Sequence, residues 1–215
     1  MRAVIFTEFG GPEVLRLVDL PSPPPPGDRE VAVDIVASTV NPTDCMMRSG
    51  QQAALMAELP PPWIAGMEFS GHVAAAGHEA GLSVGTPVIG VVNPRRPTGG
   101  AYVARVVVPA ASVASVAPET ELVGAATVPM NALTALLALE MLALERGATL
   151  LVTGGAGMLG GSVIALAKAA GVKVLANAAP ADAALLRSLG AHVILPRSDG
   201  LSEALRAACP KGWMV

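Results

Sequence analysis

The feature that most constrains this chain is a short apolar run followed at once by a cluster of glycines. Residues 150–153 read Leu-Leu-Val-Thr, which is typical of a buried parallel strand. Gly155, Gly157 and Gly160 follow with the spacing G-x-G-x-x-G, and residues 159–170 have the apolar periodicity of a helix. A strand, a glycine-rich turn and a helix in this order predict a dinucleotide site. Glycine lets backbone N–H groups approach a pyrophosphate, and the helix N-terminus adds partial positive charge.

The same pattern also fits a tight turn that binds nothing, and the residues after it favour the dinucleotide site. They predict two further strands and two further helices, at residues 172–176 (strand), 181–189 (helix), 192–195 (strand) and up to Ala208 (helix capped by Ser198 or Asp199). Strands that alternate with helices across short loops predict a parallel sheet covered by helices. The fold class predicted for this part of the chain is therefore α/β.

The first half of the chain has a different pattern, with many short strands separated by glycine and proline. Strands are predicted at residues 2–7, 14–20, 30–37, 63–77, 81–92 and 102–108, which favours a partly open barrel. The proline-rich residues 21–27 fit a stiff loop, or alternatively a polyproline II ligand for a partner. We place the domain boundary after residue 117, giving a β-rich domain at 1–117 and a nucleotide-binding domain at 118–215.

Two helices are predicted to lead into the nucleotide-binding strand, at residues 119–126 and 131–144. Apolar side chains of the second helix recur at helical spacing, and we expect them to be core: Leu133, Leu136, Leu137, Met141 and Leu144.

Composition excludes several classes of function. The net charge of −3 and an aromatic content of 3% argue against a nucleic-acid or anionic membrane partner. There is no unbroken apolar run of about 18 residues to span a membrane, and the N-terminus lacks the apolar core of a signal peptide. Cys45 and Cys209 are expected to be free thiols, so we expect a cytoplasmic protein.

Short segments along the whole chain resemble a known family. They are Met1–Val4 with Gly10–Leu15, Asn41–Asp44 with Arg48–Gly50, Gly66–Gly71, Gly99–Tyr102, Asn131–Ala135 and Gly154–Gly160. In this order they resemble the quinone oxidoreductase branch of the medium-chain dehydrogenase/reductase superfamily. The resemblance implies a GroES-like substrate domain followed by a Rossmann domain, and NADPH-dependent hydride transfer to a small quinone or activated enone without a metal.

The resemblance also implies functional residues. Asn41, Asp44 and Arg48 would be the catalytic residues, with Asn41 near both nicotinamide and substrate. Cofactor-binding residues would be Asn41, Thr134, Gly155, Ala156, Gly157, Met158, Leu159, Gly160 and Asn177.

Zinc has to be considered, because sister branches of the family carry Gly-His-Glu where this chain has Gly66-Met67-Glu68. Methionine there removes an imidazole ligand, and a structural zinc site needs four clustered cysteines. Gly77-His78-Glu79 spells the motif ten residues too late. His72 and His192 are expected to be packed or edge residues of strands. We therefore expect no metal site.

Other positions depart from the family pattern. Met46 replaces a tyrosine often found near the substrate, Met158 replaces a glycine of the turn, and Ala104-Arg105 replaces a Glu-Tyr pair after Tyr102. Asn177 replaces the acid that would bind an adenosine ribose, which argues against strict NAD use. Asp182 stands where a lysine often binds the 2′-phosphate, and a carboxylate there would repel phosphate.

At 215 residues the chain is shorter than members of the family, and only part of a Rossmann sheet is expected. Such a sheet would expose an edge and apolar helix faces, so weak stability or a homo-oligomer is expected. The alternative to an oxidoreductase is a catalytically inactive truncated fragment that acts as a nucleotide-binding or interaction protein.

Overall fold

The computed structural model describes residues 1–198 and 200–208. They form two units, Met1–Met130 and a second unit that begins at Asn131. No helix in these two ranges combines the length and the hydropathy that a membrane span requires.

The first unit consists mainly of antiparallel strands, as the sequence predicts. A two-stranded sheet pairs β1 (Arg2–Ile5) with β2 (Arg16–Asp19). A five-stranded sheet has the order β6-β3-β4-β5-β7 and comprises β3 (Glu30–Ser38), β4 (Glu68–Ala76), β5 (Pro87–Val91), β6 (Arg105–Pro109) and β7 (Val113–Ser115). Its inward side chains alternate along the strands and form a buried core that includes Val31, Val33, Phe69, Val73 and Val88.

Two helices accompany these strands, α1 (Pro42–Arg48) and α2 (Leu122–Ala125), and α3 (Pro129–Leu142) begins at the end of the first unit and continues in the second. The α2 helix packs on β3, β4 and β5, and the buried Ser70 hydroxyl of β4 donates to the Leu122 carbonyl over 2.6 Å. These contacts hold the segment after residue 117 in the first unit. By contacts the first unit thus extends to Met130, whereas the sequence places the domain boundary after residue 117.

The expectation that the Leu and Met stripe of α3 is core is wrong for most of its members. The exposed members are Leu133 (44%), Leu136 (45%), Leu137 (49%) and Met141 (88%). Ala135 of α3 is buried, and Leu139 of α3 and Leu144, which follows the helix, pack partly against the core of the second unit. The helix is apolar on nearly every side, so periodicity did not identify its buried face.

The second unit is a three-layer α/β arrangement and confirms the predicted alternation. The elements are β8 (Thr149–Val152), α4 (Met158–Ala169), β9 (Lys173–Ala178), α5 (Ala183–Leu189), β10 (Val193–Pro196) and α6 (Leu201–Ala208). All strands are parallel, in the order β10-β9-β8. Val152, Ile164, Val174 and Leu186 lie in the core between sheet and helices.

Two sequence-based expectations fall outside the described residues: Asp199 as a helix cap, and Cys209 as a free thiol. Ser198 lies three residues before the start of α6, and its carbonyl accepts the Leu201 N–H over 3.1 Å. Cys45, the other cysteine, is free and exposed.

Packing requires glycine at position 160, and this gives a prediction about stability. A Cβ at Gly160 would lie 2.4 Å from the Gly154 carbonyl oxygen, whereas a Cβ at Gly157 would have its nearest neighbour at 3.4 Å. We expect Gly160→Ala to lower the free energy of unfolding by about 1–3 kcal/mol because the turn must move. The matched Gly157→Ala variant should change it by less than about 1 kcal/mol. Urea unfolding measures both, and equal losses would contradict this account of the turn.

Candidate functional site

Asp44 joins two of the sequence motifs in the first unit. Asn41-Pro42 ends the extended segment after β3, and α1 begins there. The Asp44 carboxylate accepts the Asn41 backbone N–H over 2.8 Å and the Gly66 N–H over 2.9 Å. The side chain is 3% exposed. Burial raises the pKa of Asp44, and the two backbone N–H groups oppose that shift.

Position 66 requires glycine, both because of its backbone conformation and because a neighbouring side chain leaves no room for a Cβ. Its φ of +99° lies in the left-handed region, and a Cβ would come within 2.7 Å of the Tyr102 ring. This turn leads directly to Glu68, the first residue of β4.

Glu68 is a buried carboxylate with three hydrogen bonds. Its Oε1 accepts the Thr39 hydroxyl over 2.6 Å and the Asn41 Nδ2 group over 2.9 Å, while Oε2 accepts the Met130 N–H over 2.8 Å. The residue is only 1% exposed. The hydrogen bonds offset the cost of burying the carboxylate. We call Thr39, Asn41, Asp44, Glu68 and Tyr102 the polar cluster.

Tyr102, the last residue of the Gly99–Tyr102 motif, completes the polar cluster. Its hydroxyl donates to the Thr39 carbonyl over 3.1 Å. Burial raises the pKa of Tyr102 well above that of a free tyrosine, and the negative charge of Asp44 acts in the same direction. Tyr102 is therefore a protonated hydrogen-bond donor at physiological pH.

The structure brings Asn41 and Asp44 together in the polar cluster, but Arg48 lies at the other end of α1. Its Nη1 donates to the Gly10 carbonyl over 2.9 Å, and the Gly10 N–H donates to the Arg48 carbonyl over 3.0 Å. Arg48 thus fixes the end of α1 to the first glycine turn of the chain. Sequence reasoning used Glu68 only in weighing zinc and missed its place in the cluster. The Gly66-Met67-Glu68 motif was the signal that could have found it.

The glycine-rich turn of the second unit joins β8 to α4. Gly155 is buried, and a Cβ there would lie 3.1 Å from the Ala176, Ile164 and Leu186 side chains. Gly157 is exposed and immediately precedes α4, and a Cβ there would meet only the Gly154 carbonyl oxygen, at 3.4 Å. The other predicted residues of this turn are exposed as well: Ala156, Met158 and Leu159. Thr134 is an exposed residue of α3.

Asn177 lies at the carboxyl end of β9 and contacts this turn. Its Oδ1 accepts the Gly154 N–H over 3.0 Å, where Gly154 has a φ of +66°. Asp182 follows in the 3₁₀ turn Pro180–Asp182 and is half-buried. The carboxyl ends of parallel strands, the glycine turn and the first turn of α4 meet at this edge, which is where open α/β sheets bind ligands.

The histidines do not form part of a metal centre among the described residues, where no three His, Cys, Asp or Glu side chains are grouped closely enough to hold an ion. His78 is exposed, with Nδ1 2.9 Å from Asp28. His72 is an exposed residue of β4, and the His192 ring accepts the Val174 N–H over 3.0 Å.

Known proteins resemble both units. Residues 27–118 match the alcohol dehydrogenase GroES-like domain. The chain is 31% identical over 202 residues to 2-methylene-furan-3-one reductase of Solanum lycopersicum, covering 91% of this chain and 52% of that protein. It is 28% identical over 199 residues to quinone oxidoreductase of Sus scrofa, covering 90% of this chain and 58% of that one.

Solved structures also resemble this chain over most of its length. The quinone oxidoreductase from Coxiella burnetii superposes with a TM-score of 0.80 at 30% identity, covering 94% of this chain and 65% of that one. A mycobacterial protein solved in complex with NADPH has a TM-score of 0.78 at 31% identity, covering 98% and 64%. The chain thus spans about half the length of the first of the curated relatives it matches.

The two hydrogen bonds of Asp44 predict a stability effect. Asp44→Ala leaves the Asn41 and Gly66 N–H groups buried without an acceptor, so we expect a loss of about 2–4 kcal/mol in the free energy of unfolding. Asp34→Ala is the matched control, because Asp34 forms an exposed ion pair with Arg105. Such pairs contribute less than about 1 kcal/mol. Denaturant titration measures both variants, and a loss at Asp44 as small as that at Asp34 would refute the assignment.

Proposed function

Because this chain belongs to the medium-chain dehydrogenase/reductase superfamily, we propose that it carries the substrate domain and the nucleotide-binding turn of an NADPH-dependent reductase. The substrates we propose are small quinones or activated enones. The observation that carries the proposal is the open turn at Gly157 in front of the 12-residue helix α4.

The residues of the turn fit a dinucleotide. A Cβ at Gly154 would meet nothing within 4 Å, and at Gly157 only a carbonyl oxygen at 3.4 Å, so the backbone is accessible. The first N–H groups of a helix have no partner within the helix and carry partial positive charge, which suits a pyrophosphate. Gly157, Met158 and Leu159 would hold it there. Asn177 would lie at the adenosine ribose, and Thr134 would contact the cofactor.

NADPH, when bound, supplies the hydride, and the residues of the polar cluster would position the reactants. Asn41 would contact the nicotinamide portion or the substrate. Asp44 and Arg48 would contribute to catalysis indirectly, because their hydrogen bonds fix the two ends of α1. Relatives named quinone oxidoreductase and 2-methylene-furan-3-one reductase support the proposed substrate class.

The proposed reaction needs no zinc. Met67 replaces a metal-binding imidazole, and a thioether is a poor ligand for Zn²⁺. Glu68, the acid of the same motif, is already engaged by three hydrogen bonds.

Gly157→Asp tests the cofactor site. A side chain at Gly157 would occupy the space proposed for the pyrophosphate, and its carboxylate would repel the phosphates. We expect NADPH affinity, measured by fluorescence titration, to fall by a factor of about a hundred or more, while the melting temperature changes little. Ser188→Asp, at an exposed position of α5, is the control for added charge and should bind like wild type. Unchanged affinity in a folded Gly157→Asp protein would remove the cofactor assignment.

Coenzyme preference is a second test. We expect tighter binding of NADPH than of NADH, because Asn177 lacks the carboxylate that accepts hydrogen bonds from the ribose 2′-hydroxyl. Replacing Asp182 with Ala should strengthen NADPH binding further by removing a charge that repels the 2′-phosphate. Titration of both coenzymes against wild type and Asp182→Ala measures this. Tighter NADH binding by wild type would mean that Asp182 serves the ribose.

A further inference from the structure

Glu68 fixes which way the Asn41 side chain faces. The Asn41 Nδ2 group is 2.9 Å from Glu68 Oε1 and 2.9 Å from Thr39 Oγ1, and the Thr39 hydroxyl donates to the same Glu68 oxygen. A carboxylate oxygen only accepts hydrogen bonds, so the amide must turn its NH₂ group towards Glu68. The orientation of Asn41 is therefore set by the network.

The Glu68 carboxylate is itself held in place. Its second oxygen accepts the Met130 N–H over 2.8 Å at the beginning of α3. The Thr39 backbone is held by the Tyr102 hydroxyl over 3.1 Å. The two partners of Asn41 are thus held in turn by two other segments of the first unit, at Met130 and at Tyr102.

This orientation has a chemical consequence. The Nδ2 group of Asn41 faces Glu68 and Thr39 inside the network, so the acceptor Oδ1 is the polar atom that this side chain presents on its opposite side. The carbonyl oxygen of a quinone or enone is also an acceptor and gains nothing from Oδ1. The carboxamide N–H groups and ribose hydroxyls of NADPH are donors and can bind it.

We infer that Glu68 is a positioning residue that turns the Asn41 amide so that it accepts a hydrogen bond from the cofactor and does not polarise the substrate carbonyl. This inference rests on the proposed function. It assigns Glu68 a role through Asn41 and assigns Asn41 to the cofactor side of the reaction.

The experiment is a double-mutant cycle on NADPH affinity. In Glu68→Gln the new NH₂ group opposes either the Asn41 amide or the Met130 N–H, so Asn41 loses its fixed orientation. We expect Glu68→Gln and Asn41→Ala each to weaken NADPH binding about tenfold. The double variant should be no weaker than Asn41→Ala alone, and KM for the quinone should stay unchanged in all three.

Ser70→Ala is the matched control. Ser70 is buried on the same strand and loses one hydrogen bond, to Leu122, without touching the polar cluster. It should bind NADPH like wild type even if it melts earlier. Additive losses in the cycle, an equal loss in Ser70→Ala, or a raised quinone KM with unchanged NADPH affinity would overturn the inference.

A ligand-free measurement separates this inference from the proposed function. In ¹⁵N spectra the Asn41 side-chain amide, assigned by its absence in Asn41→Ala, should exchange slowly with solvent. It should shift and exchange faster in Glu68→Gln but not in Ser70→Ala. An unchanged signal in Glu68→Gln overturns the positioning role. If wild type binds no NADPH, the proposed function fails and the cofactor half of the inference fails with it, while the amide signal still decides the positioning half.

Should Glu68→Gln not fold, Thr39→Val gives the same test. It keeps the side-chain shape and removes one acceptor of the Asn41 amide. We expect faster exchange of that amide and a two- to threefold loss of NADPH affinity, in proportion to one neutral hydrogen bond. Wild-type exchange in Thr39→Val would count against the network as the source of the orientation.

Discussion

The first unit depends on two carboxylates that are buried at the places where its segments meet. Asp44 reaches across 22 residues of sequence to the Gly66 N–H, and Glu68 reaches across 62 residues to the Met130 N–H. Each carboxylate would be costly in an apolar interior on its own, and backbone donors at the ends of helices and strands offset that cost. The polar residues therefore hold the loops that leave the sheet, while the valine-rich core holds the strands.

The three glycines of the turn in the second unit serve different purposes. A Cβ added at Gly155 or Gly160 would lie 2.4–3.1 Å from core side chains or backbone atoms, so the strand and helix need glycine there with or without a ligand. Gly157 alone is small without a packing reason. The first and last glycines of the G-x-G-x-x-G match are thus explained by packing alone. Only the middle glycine, Gly157, is evidence for a ligand.

Local pattern was enough to predict the α/β unit, because each strand and helix of 150–208 is specified by its own periodicity and by nearby glycines. The sequence predicted only part of the polar cluster. Asn41 and Asp44 stand beside a proline turn and a helix start, but the partners of Glu68 lie on segments that sequence does not show to be neighbours. The exposed face of α3 was also beyond prediction, since a helix that is apolar all round gives no direction to its buried side.

The hydrogen bond from the Gly154 N–H to Asn177 links the shape of the turn to the residue that we propose lies at the ribose. A change of coenzyme preference at position 177 is then also a change in the support of the turn. Aspartate keeps an acceptor for the Gly154 N–H, but alanine removes it and arginine replaces it with donors. An evolutionary change of coenzyme preference at position 177 would therefore be expected to exchange Asn and Asp, because these two residues differ in charge but both accept the Gly154 N–H.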